Sequence, residues 1–208
     1  MKIKANLFSN CGWLDVKLSK EAMSKLNQMI KDKRHNMNKE LAGNITQSNS
    51  LIDKDNWFFQ NVLIECIDAY EKKFKSSAIP KVLTRNCHFV LSRFWVNFQK
   101  KYEFNPLHNH SGVFSFVIWM KIPTRYDKEV QVPFVKHSNH KPVSSFQFSY
   151  VNALGYLQGH EYKLNPEDEG TMLFFPSSLS HQVYPFYTSN KTRISLSGNI
   201  GLDPELLV

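Results

Sequence analysis

The chain has 208 residues, 42% of them hydrophobic and 21% charged, with 26 Lys and Arg against 18 Asp and Glu for a formal charge of +8. That length suits one domain with a full core, and the apolar fraction excludes a disordered polymer. No run approaches the roughly 20 apolar residues of a membrane-spanning helix. The opening MKIKANLFSN lacks the apolar stretch of a secretory signal, so the expectation is a cytoplasmic protein. Three cysteines, Cys11, Cys66 and Cys87, are odd in number and form no CxxC pair. They argue against a disulfide scaffold or zinc ribbon and fit a reducing compartment.

In chain order, Met23, Leu26, Met29 and Ile30 recur at helical spacing behind Ser19, a hydroxyl suited to an N-cap. Phe59, Val62, Leu63, Cys66, Tyr70 and Phe74 form a second apolar stripe, predicted to start after Asp55 and to bury Cys66. The basic residues cluster on these two segments, at 20–34 and 71–75, and read as solvated helix faces rather than a binding patch. Near residue 80 the texture changes. Segments 88–99, 112–121, 145–151, 171–175 and 192–200 are rich in β-branched and aromatic residues and predict strands. Turn signals separate them at Asn105-Pro106, Lys141-Pro142, Asn165-Pro166 and Pro176-Ser177-Ser178. With no repeat or linker, the expectation is a single domain over 1–208. Residues 1–80 would be a helical support for a β core over 81–208. The class is mainly β, a barrel or sandwich buttressed by helices.

The chemistry concentrates in histidines. His108 and His110 form an HxH, and on extended backbone residues i and i+2 share a face, so both imidazoles can reach one metal ion. Paired histidines are equally common without a metal. His181 lies 71 positions beyond His110, after a strand and a Pro-Ser turn. Residues 192–200 read TRISLSGNI, which places Arg193, Ser195 and Ser197 on one face and Ile194 and Leu196 on the other. A buried guanidinium needs an anion, and its planar fork suits a carboxylate, with a hydroxyl two residues on adding a hydrogen bond. The alternative is that Arg193 pairs with an internal Asp or Glu. His35, His88, His137, His140 and His160 lack metal-ligand spacing.

This ordered set resembles the Fe(II)- and 2-oxoglutarate-dependent oxygenases over about residues 90–200. The likeness is greatest to the branch frequent in marine phage genomes, which carries a Trp-x-Asn strand before the first ligand. Here the motifs are Trp95-Val96-Asn97, then His108-Asn109-His110-Ser111-Gly112, Gly170, Phe175-Pro176-Ser177, His181 and Arg193-Ile194-Ser195. The resemblance implies a double-stranded β-helix, jelly-roll or cupin-like, with the metal at its open mouth. It implies His108 and His181 as Fe(II) ligands, and Arg193 aided by Ser195 on the far carboxylate of the cosubstrate 2-oxoglutarate. Asn97 and Tyr102 are candidates for the cosubstrate pocket by position, and Trp95 for core packing. The family consumes dioxygen and decarboxylates 2-oxoglutarate to succinate while oxidising a C–H bond, so hydroxylation is the expected outcome.

His110 departs from the commoner pattern, in which a carboxylate stands two residues after the first His. It can complete an all-nitrogen triad, swing away to leave two ligands and water, or yield to a remote carboxylate such as Glu103, Asp127 or Glu129. The resemblance implies a small residue at this position in halogenating relatives, so a histidine argues against halogenation. It also implies a second Arg shortly after the first in the nucleic-acid-demethylating branch; none follows Arg193 here, which disfavours a nucleic-acid substrate and leaves a protein or a small metabolite. Two rivals stand beside this reading: a cupin-like three-His metalloenzyme that does not use 2-oxoglutarate, and a non-catalytic binding module.

Overall fold

In the computed structural model, which describes residue 4, residues 11–74 and residues 87–207, the chain begins with β1 (Leu14–Lys17), α1 (Lys20–Lys31), β2 (Ser48–Ser50) and α2 (Ile64–Phe74). There follow β3 (Cys87–Gln99), β4 (Asn105–His108), β5 (Phe114–Lys121), α3 (Tyr126–Glu129) and α4 (Pro133–Lys136). The chain then runs through β6 (Ser145–Val151), β7 (Leu157–Lys163), β8 (Thr171–Pro176), β9 (Ser180–Val183) and β10 (Arg193–Leu207). Among the described residues, the strands form a six-stranded sheet in the order β1-β8-β5-β10-β3-β2 and a four-stranded sheet in the order β4-β9-β6-β7. All the pairings are antiparallel. This is the expected mainly-β, jelly-roll class, realised as two sheets with no pairing among the described residues that closes them into one barrel.

Period-two alternation sorts the large sheet into two faces. Phe94, Val96, Phe116, Ile118, Phe174 and Leu196 point outward and pack with Leu26, Leu63, Ile67 and Tyr70 of the helical layer. Val117, Trp119, Leu173 and Phe175 point the other way, onto Phe146 and Phe148 of the small sheet. Each such side chain contributes about 1.5–3 kcal/mol of burial. The polar residues that alternate with the outer set, among them Asn97, Gln99, Arg193 and Ser197, therefore share the inner face. That face positions the site.

Helix α1 starts as expected, with Ser19 Oγ accepting from the Ala22 amide at 3.1 Å. The second stripe differs in its beginning. Asp53, rather than Asp55, caps it, its two carboxylate oxygens accepting from the amides of Phe58 and Phe59 at 2.9 and 2.8 Å. Asp55 sits in the left-handed region at φ 56°, and Phe59–Leu63 form a π-helical turn ahead of α2. The N-terminal half also supplies strands, because β1 pairs with β8 and β2 with β3. The boundary near residue 80 lies outside the described residues. Asn105-Pro106, predicted as a turn, opens strand β4 instead. This strand is an edge of the small sheet, where a proline's missing N–H is tolerated. The strand expected over 192–200 continues to Leu207. No helix among the described residues is long and apolar enough to cross a membrane.

Candidate active site

His108 closes β4 and stands directly opposite His181 of β9 in the pairing register. His110 lies two residues on, held by its own amide, which donates to the Ser177 carbonyl at 2.9 Å. The ring centroids are 4.4 Å apart for His108 and His181, and 5.0 Å from His110 to each of the others. One nitrogen from each ring lies within 4.8 Å of the other two. His108 Nδ1 is 2.7 Å from the Pro106 carbonyl, and His181 Nδ1 is 2.9 Å from that of Leu179. A carbonyl only accepts, so each Nδ1 carries the proton and Nε2 presents its lone pair. Aromatic rings wall the cluster: Phe146 is stacked on His181 at 5.5 Å, Phe175 lies at 4.9 Å, and Trp95 meets His110 at 5.6 Å.

Burial, reinforced by the neighbouring His108, holds His181 down to about 3, and burial with His108 and Arg93 holds His110 at about 4. Burial lowers His108 as well. All three imidazoles are therefore neutral near pH 7, the form that ligates a metal. Among the described residues this is the one group of three or more His, Cys, Asp or Glu with such spacing. The remote carboxylates are engaged elsewhere. Glu103 accepts from the amides of Thr46 and Lys100, and Glu129 from those of Tyr187 and Thr188. Asp127 lies 3.7 Å from Arg125 on the surface.

In β10, Arg193 pairs with Gln99, Ser195 with Asn97 and Ser197 with Trp95, so the alternating face turns into the space between the sheets. Arg193 is 1% exposed. Its Nη2 donates to Ser144 Oγ at 2.6 Å, and Nη1 to Gln99 Oε1 and the Tyr184 carbonyl at 3.3 and 3.4 Å. The guanidinium lies 4.8 Å from the Phe186 ring centroid. Its Nε is buried without a hydrogen-bond partner, as is the nearby Ser145 Oγ. No ion pair joins Arg193 to a carboxylate among the described residues; those present use Lys54, Arg93 and Arg125. Burial holds Arg193 down to about 10, opposed by the Glu129 charge, so it remains cationic at neutral pH. The internal Asp or Glu partner is thus not realised, and a buried cation is left facing inward with donors to spare.

Asn97 is buried on the same face, its Oδ1 accepting from Ser48 Oγ at 2.7 Å, and Ser195 beside it is half-buried. The Tyr102 side chain is not part of this constellation, although the Tyr102 amide donates to the Phe186 carbonyl at 3.0 Å. It is 61% exposed, in a turn at φ 72°, with its ring 5.6 Å from Tyr187. Sequence reasoning missed Gln99, Ser144, Tyr184 and Phe186 around the guanidinium. Gln99 was within reach, because it continues the Trp95, Asn97 alternation by one more step. Ser144 carries no signal, since its place depends on a left-handed turn at φ 44° just before β6. Trp95, expected only as packing, also walls a histidine.

A family model described as "Putative 2OG-Fe(II) oxygenase" matches residues 93–199, a stretch that takes in the three histidines and Arg193. No curated protein matches the sequence. Among solved structures, the viral collagen prolyl hydroxylase from Paramecium bursaria Chlorella virus-1, in complex with 2OG, aligns with a TM-score of 0.51 and 12% identity. The alignment covers 90% of this chain and 94% of that one. A Trichoplax adhaerens prolyl hydroxylase, bound to a peptide fragment of the hypoxia inducible factor oxygen degradation domain, aligns with a TM-score of 0.51 and 11% identity. Here the coverage is 93% of this chain and 84% of that one. At such identities the likeness is one of fold.

Proposed function

The chain belongs to the 2-oxoglutarate- and Fe(II)-dependent oxygenase family, whose model spans just over half of it, and on that footing we propose that His108, His110 and His181 hold the iron while Arg193 receives the far carboxylate of 2-oxoglutarate. The enzyme uses Fe(II) and 2-oxoglutarate with dioxygen to oxidise a second substrate. The donor set fits both groups. Three neutral imidazoles, two of them anchored through Nδ1, offer the nitrogens that Fe(II) accepts. The single observation that carries the cosubstrate assignment is the fully buried guanidinium with no carboxylate of its own and an unpartnered Nε.

Bound iron supplies dioxygen activation and the oxidising power for C–H cleavage, while the protein orients the reactants. Pro106 and Leu179 fix the ring planes of His108 and His181 through their carbonyls. Phe146 and Phe175 line the cluster beside His181, and Trp95 beside His110, and so limit how those two rings can turn. Gln99, Ser144 and the Tyr184 carbonyl hold the guanidinium in place, and Phe186 covers its face. Ser195, in register with Asn97, stands next along the strand to add a hydroxyl donor. The substrate we favour is a protein or small metabolite that undergoes hydroxylation, since no second Arg follows Arg193 to suit a nucleic acid. The Trp95-Val96-Asn97 motif and the cysteine usage support a phage-type enzyme acting in the cytoplasm.

Anaerobic addition of Fe(II) and 2-oxoglutarate tests the assignments through the visible metal-to-ligand charge-transfer band of a chelated oxo acid. The wild type develops the band, and His108→Ala loses it. His110→Ala loses iron affinity whereas His110→Asp retains it, because a carboxylate ligates Fe(II) equally well. Arg193→Ala weakens 2-oxoglutarate binding by about a hundredfold, the equivalent of about 3 kcal/mol for two to three charge-assisted hydrogen bonds. Iron binding without any band supports the three-His, cupin-like alternative, and absence of iron binding supports a binding module.

A further inference from the structure

Glu129 is 0% exposed and closes the short helix α3 in the insertion between β5 and β6. Its Oε2 accepts from the Tyr187 amide at 2.7 Å, and its Oε1 from the Thr188 amide at 2.9 Å and from the Thr188 hydroxyl. A buried carboxylate is costly; here three donors from one segment offset it, and the Arg193 charge acts on it without an ion pair. That segment, residues 184–188, has no regular secondary structure of its own. It supplies both the Tyr184 carbonyl that accepts from Arg193 and the Phe186 ring against the guanidinium. Further ties hold its start: the Tyr184 amide donates to the Ser145 carbonyl at 2.8 Å, and the Ser144 amide to the Pro185 carbonyl at 2.7 Å. Beyond Phe186, Tyr187 packs between Tyr102 and Phe134. Glu129 thus binds the segment's far end, and it forms no ion pair with Arg193.

We propose that Glu129 is a positioning residue for 2-oxoglutarate: by clasping the amides of Tyr187 and Thr188 it holds Phe186 and the Tyr184 carbonyl against Arg193 and so shapes the pocket for the far carboxylate. The inference rests on the assignment of Arg193 made above. Its signature is selectivity, since only an oxo acid that reaches Arg193 feels the segment.

The test is an anaerobic titration of the Fe(II)-loaded protein with 2-oxoglutarate and with 2-oxobutyrate, which keeps the chelating end and lacks the far carboxylate. Glu129→Gln sets an NH2 group against a backbone amide. It is expected to weaken 2-oxoglutarate about tenfold, with 2-oxobutyrate and Fe(II) affinities as in the wild type. Equal weakening of both acids, or unchanged 2-oxoglutarate affinity, overturns the proposal. If Glu129→Gln does not fold, Thr188→Val removes one of the three donors and keeps both amides. It should weaken 2-oxoglutarate about threefold with the same selectivity, and an unselective or absent effect overturns the proposal. Arg193→Ala separates the two assignments. If it binds both acids as the wild type does, the reading of Arg193 fails. If it loses 2-oxoglutarate selectively while Glu129→Gln does not, only the role of Glu129 fails.

Discussion

Ser115 is 1% exposed on β5, between Phe175 of β8 and Asn199 of β10. Its hydroxyl donates to Asn199 Oδ1 at 3.0 Å and, with that proton committed, accepts from Ser177 Oγ at 2.8 Å. Ser177 and Asn199 are themselves buried, and the Ser177 carbonyl receives the His110 amide. Ser115→Ala removes two hydrogen bonds and leaves a buried acceptor and a buried donor unpaired. At about 1–3 kcal/mol for each stranded group, the expected loss is about 2–6 kcal/mol. In a domain of this size, at about 2–4 °C per kcal/mol, that lowers Tm by about 4 °C or more. Thermal unfolding of the metal-free protein measures it. The Ser115→Ala/Ser177→Ala double variant should lose clearly less than the sum of the two single changes, because the second substitution removes a donor already stranded by the first. A Ser115→Ala protein that unfolds within about 1 °C of the wild type, or strictly additive losses, would refute the claim that this network supports the His110 turn.

Gly112 ends the His108–His110 turn at φ 109°, and a Cβ there would lie 2.8 Å from the Ile200 carbonyl. Gly112→Ala should therefore cost about 2 kcal/mol or more in urea unfolding and weaken iron binding, and a variant as stable as wild type contradicts the strain. Tyr102→Ala should leave 2-oxoglutarate affinity unchanged in the charge-transfer titration; a tenfold loss would return Tyr102 to the pocket. Burial pushes the Cys66 thiol up to about 12, whereas Cys11 is exposed. Mass mapping after alkylation at pH 8 should find Cys11 labelled in the native protein and Cys66 labelled only after unfolding.

What the sequence made legible follows from periodicity. His108 and His110 are two apart on extended chain, and TRISLSGNI alternates without a break, so the convergence of those two imidazoles and the inward face of Arg193 were both readable. His181 acquired meaning only in combination, since its partner across the sheet lies far away in the chain. Local rules failed where tertiary context overrode them. Asn105-Pro106 is a turn signal by composition, yet an edge position lets it pair as β4. Strand β7, LQGHEYK, is too poor in β-branched residues to announce itself and is ordered by β6. Tyr102 was a pocket candidate by position alone, but it takes a left-handed backbone conformation in the turn after β3 and its ring is exposed. Glu129, weighed as a metal ligand, instead binds backbone amides nearly 60 residues away, a pairing with no local signature.

The central claim is that three imidazoles and one guanidinium, drawn from β4, the turn after it, β9 and β10, serve a single bound iron and a single bound diacid. A crystal structure of the anaerobic complex with Fe(II) and 2-oxoglutarate tests it most directly. The account predicts the iron on His108, His110 and His181, with the far carboxylate on Arg193. Iron held without His110, or a carboxylate that leaves the Arg193 guanidinium untouched, would contradict it.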